Sequence, residues 1–276
     1  MRLLLLASLA GSVAFAAAEP LAIVRPVISQ VEDGTPPPAG FYYKPGESLF
    51  FNCRVAHITK GADRKIRVAY SVEAFDPKGV QLNETYRNEF NDEVTVEDTD
   101  WMPRIQTQVS IPPLVDSGTY KVVVKAEDEI AKTTAEIEVP FEVHGHPVEP
   151  SDTIVVRNFH FFRDEDGKQP VENAVYHAGE TMWARFDIIG YKFGDGNKVD
   201  VSYVASILLP GGKTVWTQKE PASEQSGSFY PKRYVSGEFS INLTAGVKPG
   251  SYIVGVQVKD AVGNQTYDSR HPFTVE

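Results

Sequence analysis

The chain repeats itself. Tyr43-Lys44-Pro45-Gly46-Glu47-Ser48-Leu49 lines up with Tyr176-His177-Ala178-Gly179-Glu180-Thr181-Met182, 133 residues later. The same offset carries Asp33-Gly34 onto Asp166-Gly167, Gly61 onto Gly194, Val68 and Tyr70 onto Val201 and Tyr203, and Pro77 and Gly79 onto Pro210 and Gly212. Further along the offset is 132: Gly118 and Tyr120 match Gly250 and Tyr252, Asp128 matches Asp260, and Pro140-Phe141 matches Pro272-Phe273. Turn formers and buried-type side chains are what a duplicated domain must keep. The change of offset falls between Gly79 and Gly118. That stretch and its counterpart, Gly212 to Gly250, are therefore the variable part of the unit.

Each copy reads as short strands between turns. Leu49, Phe51, Cys53 and Val55 alternate with Phe50, Asn52, Arg54 and Ala56; Val68, Tyr70, Val72 and Ala74 alternate with polar neighbours, as do Tyr120, Val122, Val124 and Ala126. In the second copy Met182, Ala184, Phe186 and Ile188 interleave with Trp183, Arg185, Asp187 and Ile189. A period of two marks strands with one buried face. Asp76-Pro77-Lys78-Gly79, Leu209-Pro210-Gly211-Gly212 and Ala261-Val262-Gly263-Asn264 supply turns. The expectation is an all-β chain with about seven strands per copy and no amphipathic helix, the pattern of a two-sheet sandwich. The copies span 19–147 and 148–276, joined through the turn-rich and fairly stiff stretch His144-Gly145-His146-Pro147-Val148-Glu149-Pro150-Ser151-Asp152.

Residues 1–18 read as a signal peptide, with Arg2 before an apolar run and Ala16-Ala17-Ala18 at the cleavage site. This predicts a secreted or periplasmic protein, and no later segment is long and apolar enough to span a membrane. The whole chain carries a formal charge of −10, which opposes docking on nucleic-acid phosphates or anionic membranes. Cys53 is the one cysteine, so no intrachain disulfide can form and each copy depends on its apolar core.

Asp116-Ser117-Gly118-Thr119-Tyr120 resembles the tyrosine corner of immunoglobulin-like domains, and Lys248-Pro249-Gly250-Ser251-Tyr252 keeps its Gly and Tyr. Where such domains carry their inter-sheet cysteines, this chain has Val122 and Val254, with Cys53 and Phe186 on the partner strand. Val258-Lys259-Asp260-Ala261-Val262-Gly263-Asn264 and the strand ending Pro272-Phe273-Thr274-Val275 resemble the last hairpin of bacterial immunoglobulin-like domains. Tyr176-His177-Ala178-Gly179-Glu180-Thr181 resembles the start of a strand in macroglobulin-type sandwich domains. The resemblance implies two tandem immunoglobulin-like β-sandwich domains. It implies no chemistry, because such sandwiches host many unrelated roles. Cys53 lies in Phe51-Asn52-Cys53-Arg54-Val55, which is not the sequence of a macroglobulin thioester.

No G-x-S-x-G elbow occurs in the mature chain, and Cys53 alternates with core residues, so catalysis is not expected. His144 and His146 offer two imidazoles, short of the three or four ligands zinc takes. Val31-Glu32-Asp33-Gly34 and Asp164-Glu165-Asp166-Gly167 read as turns rather than calcium loops. No cofactor or metal is expected. Asn83-Glu84-Thr85, Asn242-Leu243-Thr244 and Asn264-Gln265-Thr266 match the glycosylation pattern.

The candidate partner-binding residues lie in the two variable stretches. Glu84, Glu89, Asp92, Glu93, Glu97, Asp98 and Asp100 crowd one of them, with Glu89, Asp92 and Glu93 at its centre; Trp216, Phe229, Tyr230 and Tyr234 stand among Ser, Gly, Lys232 and Arg233 in the other. Loops on a rigid scaffold are free to specialise, and exposed rings in a polar loop suit a protein or glycan partner. Alternatively the rings fold back over the edge of the sandwich. The reading is a non-catalytic extracytoplasmic binding or structural module, or else a carbohydrate-binding accessory to a secreted enzyme system.

Overall fold

The computed structural model describes residues 19–95, 98 and 101–276. The predicted signal peptide lies outside these residues, as do Glu97 and Asp100 of the acidic stretch. The described chain is all-β, with sixteen strands and one 3-10 turn, Asp195–Asn197.

In the first half β1 (Ala22–Ser29), β2 (Ser48–Ala56) and β5 (Arg104–Ser110) form one sheet, in the order β1-β2-β5. The strands β3 (Val68–Phe75), β4 (Tyr86–Phe90), β6 (Gly118–Asp128) and β7 (Thr133–Val143) form another, in the order β4-β3-β6-β7. In the second half β8 (Val155–Phe162), β10 (Thr181–Ile189) and β14 (Val235–Asn242) pair in the order β14-β10-β8. The opposing sheet runs β12-β11-β15-β16-β9, with β13 also on β11. Its strands are β9 (Val175–Tyr176), β11 (Val199–Leu208), β12 (Thr214–Thr217), β13 (Ala222–Ser226), β15 (Gly250–Asp260) and β16 (Gln265–Val275). The second half thus has nine strands rather than the seven expected. Its variable stretch supplies two short strands on the edge of β11, where the first half has only β4. In addition β9 lengthens a parallel contact that the first half makes with the single bridge Tyr43 to Val143.

The alternating side chains behave as their period requires. Leu49, Phe51, Cys53 and Val55 are fully buried and meet Tyr120, Val122 and Val124 of the facing sheet. Met182, Ala184, Phe186 and Ile188 meet Val254, Val256 and Val258 in a separate core. Burial pushes the Cys53 thiol up to about 12, so it stays protonated and inert at neutral pH.

The backbone repeats more closely than the sequence does. Left-handed residues recur at matched positions: Arg25 and Asn158, His57 and Gly190, Arg64 and Asn197, Lys132 and Asn264. Arg25 and Asn158 each sit at a bulge in the first strand of their half. The matched acids Asp128 and Asp260 are both buried and both brace a hairpin. Asp128 accepts the amides of Thr59, Ile130 and Ala131 at 2.7, 2.9 and 3.1 Å. Asp260 accepts those of Lys192 and Gly263, each at 2.9 Å. Burial would raise the Asp128 carboxyl, but these amides outweigh it and hold it below the usual carboxylate range.

One core pair has exchanged volume between the halves. Cys53 on β2 faces Ile105 on β5, whereas at the same place Phe186 on β10 faces Gly237 on β14. A Cβ on Gly237 would lie 2.3 Å from the Phe186 ring. The large side chain has moved to the other strand and the total filling is kept.

Both tyrosine corners form. Tyr120 donates to the Asp116 carbonyl and Tyr252 to the Lys248 carbonyl, each at 2.8 Å. Tyr120 is fully buried, but Tyr252 is only half-buried. The difference comes from what covers them, which is the junction described next.

Candidate functional site

The aromatic stretch divides into residues that face inward and residues that face out. Tyr230 and Tyr234 are 4 % and 7 % exposed, so the expectation of rings standing free in a loop does not hold for these two. Tyr230 leaves its own half and joins the core of the first. Its hydroxyl donates to Oδ2 of Asp76 at 2.9 Å. Arg233 pairs with the same oxygen, and its Nε donates to the Tyr230 hydroxyl at 3.0 Å. The other oxygen of Asp76 closes its own turn, accepting the amides of Lys78 and Val80 at 2.9 and 2.7 Å. This buried carboxylate is therefore satisfied on both oxygens, the condition under which a buried ion pair is tolerated. Burial would lower the Arg233 guanidinium, but Tyr230 and Asp76 outweigh it and hold the group above its ordinary value. Burial also raises the Tyr230 phenol, so the tyrosine keeps its proton and donates it across the neutral range.

The linker is fixed at the same junction. His144 stacks on Tyr42 with ring centres 3.8 Å apart, and the Gly145 carbonyl accepts from Ser117 Oγ at 3.0 Å. A Cβ on Gly145 would lie 2.1 Å from the Val115 carbonyl oxygen, so only glycine passes here. His146 Nε2 lies 2.6 Å from Asp187 Oδ2 on β10. The two linker histidines thus serve opposite halves and do not converge. The acidic stretches at Val31–Gly34 and Asp164–Gly167 form the turns read from the sequence: Gly34 donates to the Val31 carbonyl and Gly167 to the Asp164 carbonyl.

Phe229 and Trp216 remain exposed, at 52 % and 39 %. Asn197 Nδ2 donates to the Phe229 carbonyl at 2.6 Å and to the Ser228 carbonyl at 3.2 Å, and Ser228 Oγ donates to the Tyr230 carbonyl at 2.6 Å. The backbone on both sides of Phe229 is pinned, and the ring is presented outward. Trp216 sits on β12 opposite Ile207, while the strand leading to Phe229 pairs with the other end of β11 at Val199. Eight residues of strand separate those ends, about 27 Å, so the two rings form separate patches. Glu89, Asp92 and Glu93 are all exposed. Glu89 lies on β4 opposite Ala69, and Asp92 and Glu93 continue beyond it against Ile66 and Lys65. They belong to the first half and are not brought to the aromatic rings.

Sequence reasoning missed Asp76 and Arg233, and also Asp187. The one signal for Asp76 was its mismatch in the register, since the matched turn has Leu209.

No protein-family model matches the chain, and no curated protein sequence matches it. Among solved structures, the C-terminal domain of the antigen I/II polypeptide BspA of Streptococcus agalactiae overlaps 93 % of this chain and 100 % of its own, at 10 % identity and a TM-score of 0.32. The C-terminal domain of the antigen I/II-family protein AspA of Streptococcus pyogenes overlaps 92 % and 99 %, at 10 % identity and the same TM-score of 0.32. A TM-score of this size does not define a common fold. Among the described residues no helix is long and apolar enough to cross a membrane.

Proposed function

We propose that the chain is a non-catalytic binding module, exported from the cytoplasm, built from two tandem immunoglobulin-like sandwich domains, 19–147 and 148–276. The observation that carries the reading is Phe229. A half-exposed phenylalanine on a backbone held by two side chains, Asn197 and Ser228, is an anchor whose ordering cost has been met before any partner arrives. Tyr230, Tyr234 and Arg233 act as its foundation. Trp216 and the acidic group Glu89, Asp92 and Glu93 are further contact patches on the same scaffold. The signal-peptide pattern of residues 1–18 supports export to the periplasm or medium. The partner is a protein or a glycan, and the acidic patch suits a basic protein surface.

The test uses Phe229→Ala, Trp216→Ala and the triple change of Glu89, Asp92 and Glu93 to Lys. Each alters exposed side chains and should leave the melting temperature nearly unchanged, as surface substitutions do, within about 0.5 kcal/mol. The expected result is that Phe229→Ala weakens retention of extracellular material from the native source at least tenfold. Retention unaffected by all three variants would overturn the assignment of these patches.

A further inference from the structure

The outer face of the β8–β10–β14 sheet carries a groove of about 530 Å³, within the range of small-ligand sites. Two cross-strand rows line it. Ser236 stands opposite Asp187 in one row; His160, Arg185 and Glu238 form the other, about 7 Å away along the strands. Tyr234 lies beyond the first row and Phe162 beyond the second, and Phe186 contributes to the apolar floor.

The carboxylate of Asp187 is only 6 % exposed. Its Oδ2 accepts Asn158 Nδ2 at 2.7 Å and meets His146 Nε2 at 2.6 Å. The bulge at Asn158, with φ of 48°, is what swings that amide over the sheet. His160 and Ser236 are exposed and line the groove. Among the described residues neither of their side chains bonds to the protein, and Oδ1 of Asp187 is likewise without a partner. Arg185 is fully engaged: it pairs with Glu238 at 2.8 Å, donates to the Gly167 carbonyl at 2.8 Å, and lies 4.3 Å over the Phe162 ring.

This inventory selects the ligand. Both carboxylates already face donors, so a cationic group gains little here. The guanidinium is committed, and the chain carries a charge of −10, so an anion is disfavoured. What remains is a set of open donors and acceptors above an apolar floor, the complement of a ring that carries hydroxyls on its rim and C–H groups on its face. We infer that the groove binds a neutral saccharide one or two rings long, with Asp187, His160 and Ser236 bonding its hydroxyls. The inference rests on the binding-module reading and moves the contact from the loops to a sheet face. It also fixes the stoichiometry at one site per chain. The first-half positions that match Asn158, His160, Asp187 and Ser236 are Arg25, Val27, Arg54 and Arg104, with Arg54 and Arg104 directly opposed on neighbouring strands, so the matched face does not repeat this set of groups.

The test is titration calorimetry of the full chain with cellotriose, maltotriose, chitotriose, mannotriose and xylotriose, with trigalacturonate and a lysine-rich peptide as charged controls. Ser236→Trp fills the groove from an exposed position, and His160→Ala removes one open imidazole; thermal melts confirm that both fold. The expected result is saturable one-to-one binding of a neutral oligosaccharide, abolished by Ser236→Trp and weakened about fivefold by His160→Ala, the worth of one hydrogen bond. Three outcomes would overturn the inference: no neutral oligosaccharide binding, binding confined to the charged controls, or neutral binding that survives Ser236→Trp. Neutral binding that survives Ser236→Trp but is lost in Phe229→Ala would sink the groove and leave the binding-module reading standing.

Discussion

The turns Asp76-Pro77-Lys78-Gly79 and Leu209-Pro210-Gly211-Gly212 share a backbone. In each, the glycine is left-handed and donates to the carbonyl three residues back, and the first residue's amide closes onto the residue after the glycine. Only their first residues differ in cover: Asp76 is buried against the other half of the molecule and Leu209 is half-buried, while the remaining three residues of both turns are exposed. A carboxylate makes the difference. Asp76 gives Tyr230 and Arg233 an acceptor, whereas Leu209 offers none. The same contrast explains the tyrosine corners, since Tyr120 lies under the junction and Tyr252 lies at an end that the described residues leave half-exposed. The halves therefore teach that a repeat can keep the backbone of a turn while one substitution converts that turn into a joint.

The largest expected effect tests whether that joint is part of the fold. Tyr230→Ala should destabilise the full chain by about 3–5 kcal/mol, as removal of a large buried ring does. Although the residue belongs to the second half, amide exchange should accelerate in the first, around the Asp76 turn that its hydroxyl meets. If the first half keeps its protection, the two cores are independent and the joint is only a contact.

A smaller effect tests the exchanged core pair. Gly237→Ala should cost about 1–3 kcal/mol, because its Cβ overlaps the Phe186 ring. Installing the first half's solution, Phe186→Cys with Gly237→Ile, should cost less than the sum of the single changes, read from denaturant midpoints at constant slope. Strict additivity would mean that the two positions do not share one space.

The smallest effect separates the corners. Tyr120→Phe should cost about 1 kcal/mol, the net worth of a buried hydrogen bond, and Tyr252→Phe a few tenths, because water can replace the partner at a half-buried site. Equal losses would contradict the difference in cover.

Much of the fold was legible because it obeys short-range rules. The alternation of Leu49, Phe51, Cys53 and Val55 follows from the two-residue period of a strand, and the matched glycines mark backbone that side chains resist. The strands β12 and β13 were not legible, since Thr214–Thr217 is exposed throughout and carries no buried face to give it a period. The joint was hidden for a different reason. Tyr230 and Arg233 lie 154 and 157 residues from Asp76, and no local pattern encodes a contact of that span. For the same reason, exposure of the aromatic residues could not be read residue by residue: Phe229 and Tyr230 are neighbours that point to opposite fates.

The linker has a consequence for the lifetime of the chain in the presence of proteases. A stretch with prolines and glycine between two folded units is where proteases ordinarily cut, because cleavage needs several residues of backbone to loosen together. Here His144 is stacked, the carbonyls of Gly145, Pro147 and Asp152 all accept side-chain donors, and His146 meets a buried carboxylate. A protease must wait for that whole set to open at once. The rate of nicking at the linker is then governed by the opening of the junction rather than by the sequence it finds there, and the joint that unites the halves is also what shields the stretch between them from digestion.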